Sequence, residues 1–176
     1  SVTVYNRTGV VGQRWLTEFS GNIANTPGGA AKNADMVFIC VGNDKDVLDV
    51  TMGTEGVFST IKSGSILVDH TTTSADLAKK LANEASLREC GFIDAPVSGG
   101  QQGAEGGQLT VMCGGSGDDF AKIKGVVACF SKAVTLMGPT GSGQLCKMVN
   151  QICIAGLVQG LAEGLNFAQR AGLDAR

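Results

Sequence analysis

The sequence has few of the residue types that most often signal a metal ion, a disulfide framework or a nucleic-acid partner. It contains one histidine, one tryptophan, one tyrosine and three prolines among 176 residues, and only 17% of its residues are charged. The six cysteines include no CxxC pair, and the formal net charge of -2 leaves no basic surface for nucleic acid. We therefore expect no metal site, no nucleic-acid partner, and reduced, mostly buried thiols in a cytoplasmic protein.

The sequence also predicts neither a membrane-spanning segment nor a targeting segment. The most apolar long stretch, residues 145–165, carries a lysine, a glutamate and three amide side chains, which predicts that it does not span a membrane. No targeting segment is evident, which again favours a cytoplasmic location. What the sequence does have is 43% hydrophobic residues and 26 glycines, a composition typical of a globular domain with many tight turns.

Apolar runs typical of strands alternate with segments of helical periodicity. The predicted strands cover residues 1–5, 36–41, 65–69, 92–95, 109–113 and 133–137, and the predicted helices cover residues 10–19, 27–32, 46–61, 74–90, 118–130 and 143–171. In the helix over 74–90 we expect Leu77, Leu81 and Leu87 to face the core. The alternation predicts an α/β, Rossmann-like dinucleotide-binding fold with a mainly parallel sheet.

The first predicted strand has no glycine-rich GxGxxG turn, which normally follows the central first strand of a dinucleotide fold. We therefore expect residues 1–140 to form an NADP-binding domain without its first strand and glycine-rich loop. Residues 141–176 are expected to form a long interdomain helix that opens a helical C-terminal domain outside this sequence. The structure should then show either a gap between two strands that each lack a partner on one side, or a compensating partner strand.

One loop that follows a predicted strand points to the cofactor. Parallel sheets bind ligands at the carboxyl ends of their strands, and Asn6-Arg7-Thr8 lies where dinucleotide folds usually carry an acid for the ribose 2′-hydroxyl. An arginine at this position can bind the 2′-phosphate of NADP through two charge-assisted hydrogen bonds. NADP is therefore expected rather than NAD. The alternative is an ordinary solvated turn with Arg7 on the surface.

A second loop combines a hydroxyl with two adjacent glycines. Ser98-Gly99-Gly100 presents that hydroxyl beside closely spaced backbone N–H groups that no side chain covers, an arrangement suited to a carboxylate. The loop predicts that the substrate carries a carboxylate. A plain glycine turn is the alternative.

The strongest constellation lies in the last predicted helix. Lys147, Asn150 and Gln151 have the i, i+3, i+4 spacing of one helical face, and Gly143 clears space one turn earlier. Their neighbours are apolar, so we expect a buried helix on which these polar groups need partners. A lysine there can donate a proton to a carbonyl oxygen as hydride arrives, or stabilise the alkoxide that forms. The alternative is a lysine whose amine simply reaches the surface.

Together these motifs resemble the β-hydroxyacid dehydrogenase family, which includes 3-hydroxyisobutyrate dehydrogenase and tartronate semialdehyde reductase. The segments that carry the resemblance are Val4 to Thr8, Asp69 to Thr73, Asp94 to Gly100 and Gly141 to Asn150. The resemblance implies an oxidoreductase that transfers a hydride between NADP(H) and a small β-hydroxy acid or its semialdehyde or keto acid. It also implies a homo-oligomer formed through the helical C-terminal domain.

The resemblance also implies a role for each matching residue. Lys147 would be the general acid/base. The substrate carboxylate would be held by Ser98, Gly99 and Gly100, and the rest of the substrate would be positioned by Asn150 and Gln151. The 2′-phosphate would be bound by Asn6, Arg7 and Thr8, and the rest of the cofactor would be lined by Val41, Gly42, Asn43 and Thr72.

Two departures and two alternatives accompany this hypothesis. Gln151 stands where many members have a second asparagine, which is closer to tartronate semialdehyde reductases, and Thr71 replaces a serine. A relative of 6-phosphogluconate dehydrogenase is one alternative, but that group carries a histidine beside the asparagine and this chain does not. A non-catalytic dehydrogenase-like binding module is the other, but such proteins lose the lysine that is present here as Lys147.

Overall fold

Strands and helices alternate along the chain as the sequence predicts. The computed structural model describes residues 1–174, so the last two residues of the predicted 141–176 segment lie outside the described residues. In this range the strands are β1 (Thr3–Val4), β2 (Asn22–Ile23), β3 (Met36–Ile39), β4 (Ile66–Asp69), β5 (Gly91–Asp94), β6 (Val97–Ser98), β7 (Leu109–Gly115) and β8 (Ser131–Gly138). The α-helices are α1 (Gly9–Glu18), α2 (Pro27–Ala31), α3 (Asp44–Met52), α4 (Ala75–Ser86), α5 (Gly100–Glu105), α6 (Gly117–Val127) and α7 (Ser142–Arg170).

Four of these helices follow a polar residue that caps the first turn. The caps of α2, α3, α4 and α6 accept a backbone N–H three residues later, at 3.0, 3.0, 3.2 and 3.1 Å, and they are Thr26, Asn43, Ser74 and Ser116. Such a cap satisfies an N–H group that the helix itself cannot pair, and it contributes about 1 kcal/mol. The caps therefore define where each loop ends and its helix begins.

The strands form two sheets. β1 and β2 pair in parallel, and a six-stranded sheet has the order β3-β4-β5-β7-β6, with β8 pairing to β7. β3, β4 and β5 run parallel to one another, as do β7 and β8, whereas β5 and β6 are antiparallel to β7. The predicted α/β fold with a mainly parallel sheet is confirmed. This topology places the carboxyl ends of β3, β4 and β5 at one edge, where such sheets bind ligands.

Successive residues of the central strand β4 point into two separate hydrophobic cores. Leu67 belongs to the core that includes Leu81 of α4, and Val68 belongs to the core that includes Ile123 of α6. Because side chains alternate along a strand, a strand covered by helices on both faces is buried on both faces and mostly apolar. All four residues of β4 are accordingly buried.

A cleft of about 1340 Å³ lies between the two sheets. Its walls include residues 1–8, which contain β1, and residues 32–42, which contain β3. Among the described residues β1 pairs only with β2, and β3 pairs only with β4 within its sheet path. The gap between two half-paired strands that the sequence predicted is therefore present.

Helix α7 is buried only near its start. Gly143, Gln144 and Lys147 are buried, whereas residues 151–167 are exposed, so the burial expected around Lys147 holds at the helix start but does not extend to Gln151. By length and composition α7 also meets a criterion for a membrane-crossing helix, with a mean hydropathy of 1.3 over its most apolar 18-residue window. Composition alone therefore does not exclude a span, although one such helix is weak support for a membrane protein.

Several short elements were not predicted. β2, β6 and α5 are two to six residues long, and segments of this length carry too little periodicity to be recognised. The helix predicted over 46–61 is instead α3 followed, after Gly53 and Gly56, by a 3₁₀ turn at Val57–Ser59.

Two predictions of burial were also wrong. Leu87 is 78% exposed, because α4 ends one residue before it. The cysteines were expected to be mostly buried, but only Cys90 and Cys113 are, and the exposed ones are Cys40, Cys129 and Cys153. An apolar run around a cysteine therefore did not predict whether that cysteine is buried.

Candidate active site

The loops after β3 and β4 are tied together at the carboxyl edge of the sheet. The Thr71 hydroxyl accepts a hydrogen bond from the Val41 N–H at 3.0 Å, and the His70 N–H donates to the Ile39 carbonyl at 2.8 Å. The His70 ring stacks on Phe38 with the ring centroids 5.8 Å apart. Two loops that sequence analysis assigned to the cofactor thus form one connected surface.

Thr72 lies between two buried threonines whose backbone N–H groups are hydrogen-bonded. The Thr71 N–H donates to an Asp69 carboxylate oxygen at 2.9 Å, and the Thr73 N–H donates to the Gln144 side-chain oxygen at 3.0 Å. Thr71 and Thr73 are buried, whereas Thr72 between them is exposed. The predicted cofactor residue Thr72 therefore projects outward from a loop that is held on both sides.

Two fully buried side chains that sequence analysis did not single out for a role attach helix α7 to the sheet. The carboxylate of Asp94 accepts the Gly141 N–H at 2.7 Å and the Gln144 N–H at 3.0 Å, at the N-terminus of the helix. The Gln144 amide also donates to the Thr71 carbonyl at 2.7 Å. The signal that could have revealed Gln144 is its position three residues before Lys147, on the same helical face.

These contacts place Lys147 beside the glycine loop. Its ammonium nitrogen donates to the Val97 carbonyl at 2.8 Å, next to Ser98, and the residue is 8% exposed. Gly143 permits this approach, because a Cβ there would lie 2.4 Å from the Met112 carbonyl oxygen and 2.8 Å from the Asp94 carbonyl oxygen. The helix start therefore sits directly against the sheet, and only a glycine fits at the contact.

The remaining predicted substrate residues surround this lysine less closely. Ser98 is half-buried, and Gly99 and Gly100 are exposed with φ angles of 135° and 61°, in the region that favours glycine. Asn150 is half-buried and Gln151 is exposed, and the Asn150 amide donates to the Gln151 side-chain oxygen at 3.3 Å. Lys147 and Ser98 are thus brought together, while Asn150 and Gln151 follow on the next turn of the helix.

The loop after β1 reaches across to helix α3. The Asn6 side chain accepts the Thr8 N–H at 2.8 Å, which shapes the loop, and Arg7 is 84% exposed. The Arg7 guanidinium forms an ion pair with Asp46 at 3.3 Å, and Asn43 donates to the other Asp46 oxygen at 3.1 Å. The predicted residues Arg7 and Asn43 therefore meet at one acidic side chain, which sequence analysis missed.

Burial changes the titration of three groups at this edge of the sheet. It raises the pKa of Asp69 to about 6, and it also raises the pKa of Asp94, against the N–H groups that stabilise the Asp94 carboxylate. Burial lowers the pKa of His70, whose Nδ1 lies 2.7 Å from the Ala95 carbonyl oxygen. Across residues 1–174 no group of three or more histidine, cysteine or acidic side chains could hold a metal ion.

Comparisons with known proteins agree on the type of fold and enzyme. Residues 1–138 match the family described as the NAD binding domain of 6-phosphogluconate dehydrogenase. The chain is 54% identical to an uncharacterized oxidoreductase of Shewanella frigidimarina, over 98% of this chain and 60% of that protein. It is 34% identical to the mitochondrial 3-hydroxyisobutyrate dehydrogenase of Mus musculus, over 89% of this chain and 47% of that protein.

A solved structure has the same fold. The 3-hydroxyisobutyrate dehydrogenase of Salmonella typhimurium superposes with a TM-score of 0.86 and 28% identity, over 97% of this chain and 60% of that one. The chain thus spans about half to three-fifths of the length of these relatives.

Proposed function

Since this chain belongs to the β-hydroxyacid dehydrogenase family, we propose that it is the cofactor-binding part of an NADP(H)-dependent oxidoreductase. Its substrate is a small β-hydroxy acid, or the corresponding semialdehyde or keto acid. Lys147 is the general acid/base. The observation that carries this proposal is the nearly buried Lys147 ammonium, 2.8 Å from the Val97 carbonyl oxygen and next to the Ser98 loop.

Lys147 moves the proton that must accompany hydride transfer. When bound, NADP(H) supplies or accepts the hydride. In the reduction, the Lys147 ammonium donates a proton to the carbonyl oxygen of the substrate, which becomes the hydroxyl; in the oxidation, the neutral amine takes that proton back. The positive charge also stabilises the alkoxide that forms between these states.

The glycine loop orients the substrate for this transfer. The Ser98 hydroxyl and the N–H groups of Gly99 and Gly100 hold the substrate carboxylate, because no side chain at either glycine blocks its approach. Asn150 and Gln151, on the same helical face as Lys147, position the rest of the molecule. A carboxylate held at this loop places the neighbouring carbonyl group near Lys147.

The residues at the carboxyl edge suit NADP. Arg7 is largely exposed at the end of β1, so its guanidinium can bind a 2′-phosphate together with Asn6 and Thr8. Gly42 and Asn43 are exposed after β3, beside the half-buried Val41, and Thr72 is exposed after β4. These residues line the path that an extended dinucleotide would follow along the edge of the sheet.

The cleft and the exposed part of helix α7 support the proposed domain division. Residues 1–140 form the cofactor domain, and an extended segment bearing a glycine-rich loop fills the cleft between β1 and β3. Residues 141–176 open a second, helical domain that covers the exposed apolar side chains of α7, such as Ile152 and Leu157, each 72% exposed. The homo-oligomer forms through that domain. A cytoplasmic location remains a prediction.

A 6-phosphogluconate dehydrogenase activity is a second candidate, because that enzyme gives its name to the family matched by residues 1–138. Asn150 is followed by Gln151 rather than by the histidine expected of that group. A small, unphosphorylated acid therefore remains the preferred substrate.

The test is an assay of the full-length protein with NADPH or NADP and a panel of small semialdehydes, keto acids and β-hydroxy acids, together with 6-phosphogluconate. We expect turnover with a small acid, and a loss of roughly two to four orders of magnitude in Lys147→Ala. The matched control is Lys80→Ala, at an exposed position on α4, which should be as active as the wild type. Equal activity in both variants would assign the proton transfer to another group.

A further inference from the structure

An acidic side chain lies against the arginine that is proposed to bind the 2′-phosphate. One carboxylate oxygen of Asp46 is 3.3 Å from Arg7 Nη1, and the other accepts a hydrogen bond from the Asn43 side chain at 3.1 Å. Asp46 is 22% exposed at its side chain, against 84% for Arg7. The acid is therefore held from the α3 side, and the arginine is the more exposed partner of the pair.

The position of Asp46 is set by its local structure. The Asp46 N–H donates to the Asn43 side-chain oxygen at 3.0 Å, so the two residues form a reciprocal contact in the first turn of α3. Gly42 leaves room for the carboxylate, because a Cβ there would lie 2.6 Å from its Oδ2 atom. The position of the Asp46 carboxylate beside the cofactor loop therefore does not depend on its contact with Arg7.

We propose that Asp46 is a determinant of cofactor selectivity that opposes Arg7, lowering the affinity for a ribose 2′-phosphate and favouring a free 2′-hydroxyl. This inference rests on the proposed role of Arg7 at the ribose. It assigns to the chain an acid of the kind that dinucleotide folds use for the 2′-hydroxyl, supplied by α3 instead of by the loop after β1.

The opposition follows from charge and hydrogen-bonding capacity. A phosphate monoester carries between one and two negative charges near neutral pH, so a phosphate bound to Arg7 lies close to the Asp46 carboxylate and is repelled by it. The phosphate must also displace that carboxylate from the guanidinium. A 2′-hydroxyl, by contrast, can donate a hydrogen bond to an ionised carboxylate, which only accepts.

The substitution Asp46→Asn removes the negative charge of this side chain but keeps the contact that positions it. An asparagine has nearly the same shape, and its side-chain oxygen can still accept the hydrogen bond from Asn43. Asp49 provides the matched control one turn later on α3, because its carboxylate binds Lys45 rather than Arg7. Asp49→Asn removes the same charge from the same helix without changing the partner of Arg7.

The experiment measures the dissociation constants of 2′,5′-ADP and 5′-AMP by calorimetry on the full-length wild type and on Asp46→Asn, Asp49→Asn and Arg7→Gln. We expect Asp46→Asn to tighten 2′,5′-ADP binding at least fivefold, to leave 5′-AMP equal or weaker, and to lose part of this gain at high salt. Asp49→Asn should change the ratio of the two constants less than twofold.

The variants distinguish failure of this inference from failure of the proposed function. If Arg7→Gln weakens 2′,5′-ADP but Asp46→Asn leaves the ratio unchanged, or weakens 2′,5′-ADP, the inference is wrong and Asp46 serves to orient Arg7. If Arg7→Gln leaves 2′,5′-ADP binding unchanged, the proposed 2′-phosphate site is itself wrong, and the role of Asp46 falls with it.

Discussion

The loops around Lys147 and the loops around Arg7 lie along one edge of the fold, but they are held in different ways. Around Lys147 the supporting groups are buried, and Asp94 and Gln144 hold the helix start through four hydrogen bonds of 2.7 to 3.0 Å. The Arg7 side chain is instead held by an ion pair of 3.3 Å, in which the arginine is 84% exposed. One region is rigidly positioned, and the other is held by a contact that water can replace.

This difference matches what each region is proposed to do. Proton transfer requires the donor within about 2.6–3.2 Å of its target, so a small displacement of Lys147 costs rate. Binding a phosphate requires charge more than an exact position, and an exposed ion pair is worth only about 0–1 kcal/mol. Substitutions in the buried region should therefore have large effects, and substitutions in the exposed region should change selectivity.

The largest effect should come from Lys147→Arg in the full-length enzyme. Arginine keeps the positive charge but does not readily release a proton, so we expect the rate to fall by roughly two to four orders of magnitude. The dissociation constant of NADPH should change less than threefold. Steady-state kinetics and cofactor fluorescence measure the two quantities, with Lys80→Arg as the control. Turnover within tenfold of the wild type would show that charge at this position is sufficient.

Asp69→Asn should stabilise the protein at neutral pH. The folded-state pKa of Asp69 is about 6 against an ordinary value of 3.8, so the folded protein binds this proton more tightly than the unfolded chain. The contribution of Asp69 to the free energy of unfolding therefore falls as the pH rises from about 4 to about 6, and it stays lower above that range.

Asparagine removes the buried charge and can still accept the Thr71 N–H. We expect the free energy of unfolding to rise by up to about 3 kcal/mol at pH 7, with little change at pH 4. Urea unfolding at both pH values measures this difference, and the exposed Asp76→Asn should show no such gain. An Asp69→Asn protein that is no more stable at pH 7 than the wild type would contradict the prediction.

Gly143→Ala should break the contact between α7 and the sheet. The new Cβ would meet the Met112 and Asp94 carbonyl oxygens, neither of which is free to move, so we expect a loss of about 1–3 kcal/mol and reduced turnover. Gly125→Ala on α6 is the control, since nothing lies within 4 Å of its Cβ and alanine favours a helix by up to about 1 kcal/mol. Thermal unfolding compares the two, and equal midpoints would show that the helix start can shift freely.

In the exposed region the expected effect is on cofactor selectivity. Arg7→Asp should weaken NADPH binding at least tenfold and spare NADH, because a charge-assisted pair of hydrogen bonds is worth about 1.5–3 kcal/mol. Fluorescence titration with both cofactors measures the ratio, and Arg14→Asp on α1 is the control. An unchanged preference would place the ribose elsewhere.

Much of the fold could be predicted from the sequence alone. The run Met36 to Ile39 and the cap at Ser74 are local signals, because apolar periodicity and side-chain capping depend on residues a few positions apart. The motif at Lys147 and the loop at Ser98 likewise stood out by residue type and spacing. The gap beside β3 was predicted because a dinucleotide fold has a glycine-rich turn after its central first strand, and the first predicted strand of this sequence has no such turn.

Only the tertiary structure decided which of these groups meet. The contact of Lys147 with Val97 spans 50 residues, and the pair of Arg7 with Asp46 spans 39. Such contacts depend on the order of the strands and on the approach of helices across the sheet, which no local pattern encodes. Burial follows the same rule, because a side chain is covered by residues from distant parts of the chain. For this reason Lys147 is buried, whereas Ile152, which has equally apolar neighbours in the sequence, is exposed.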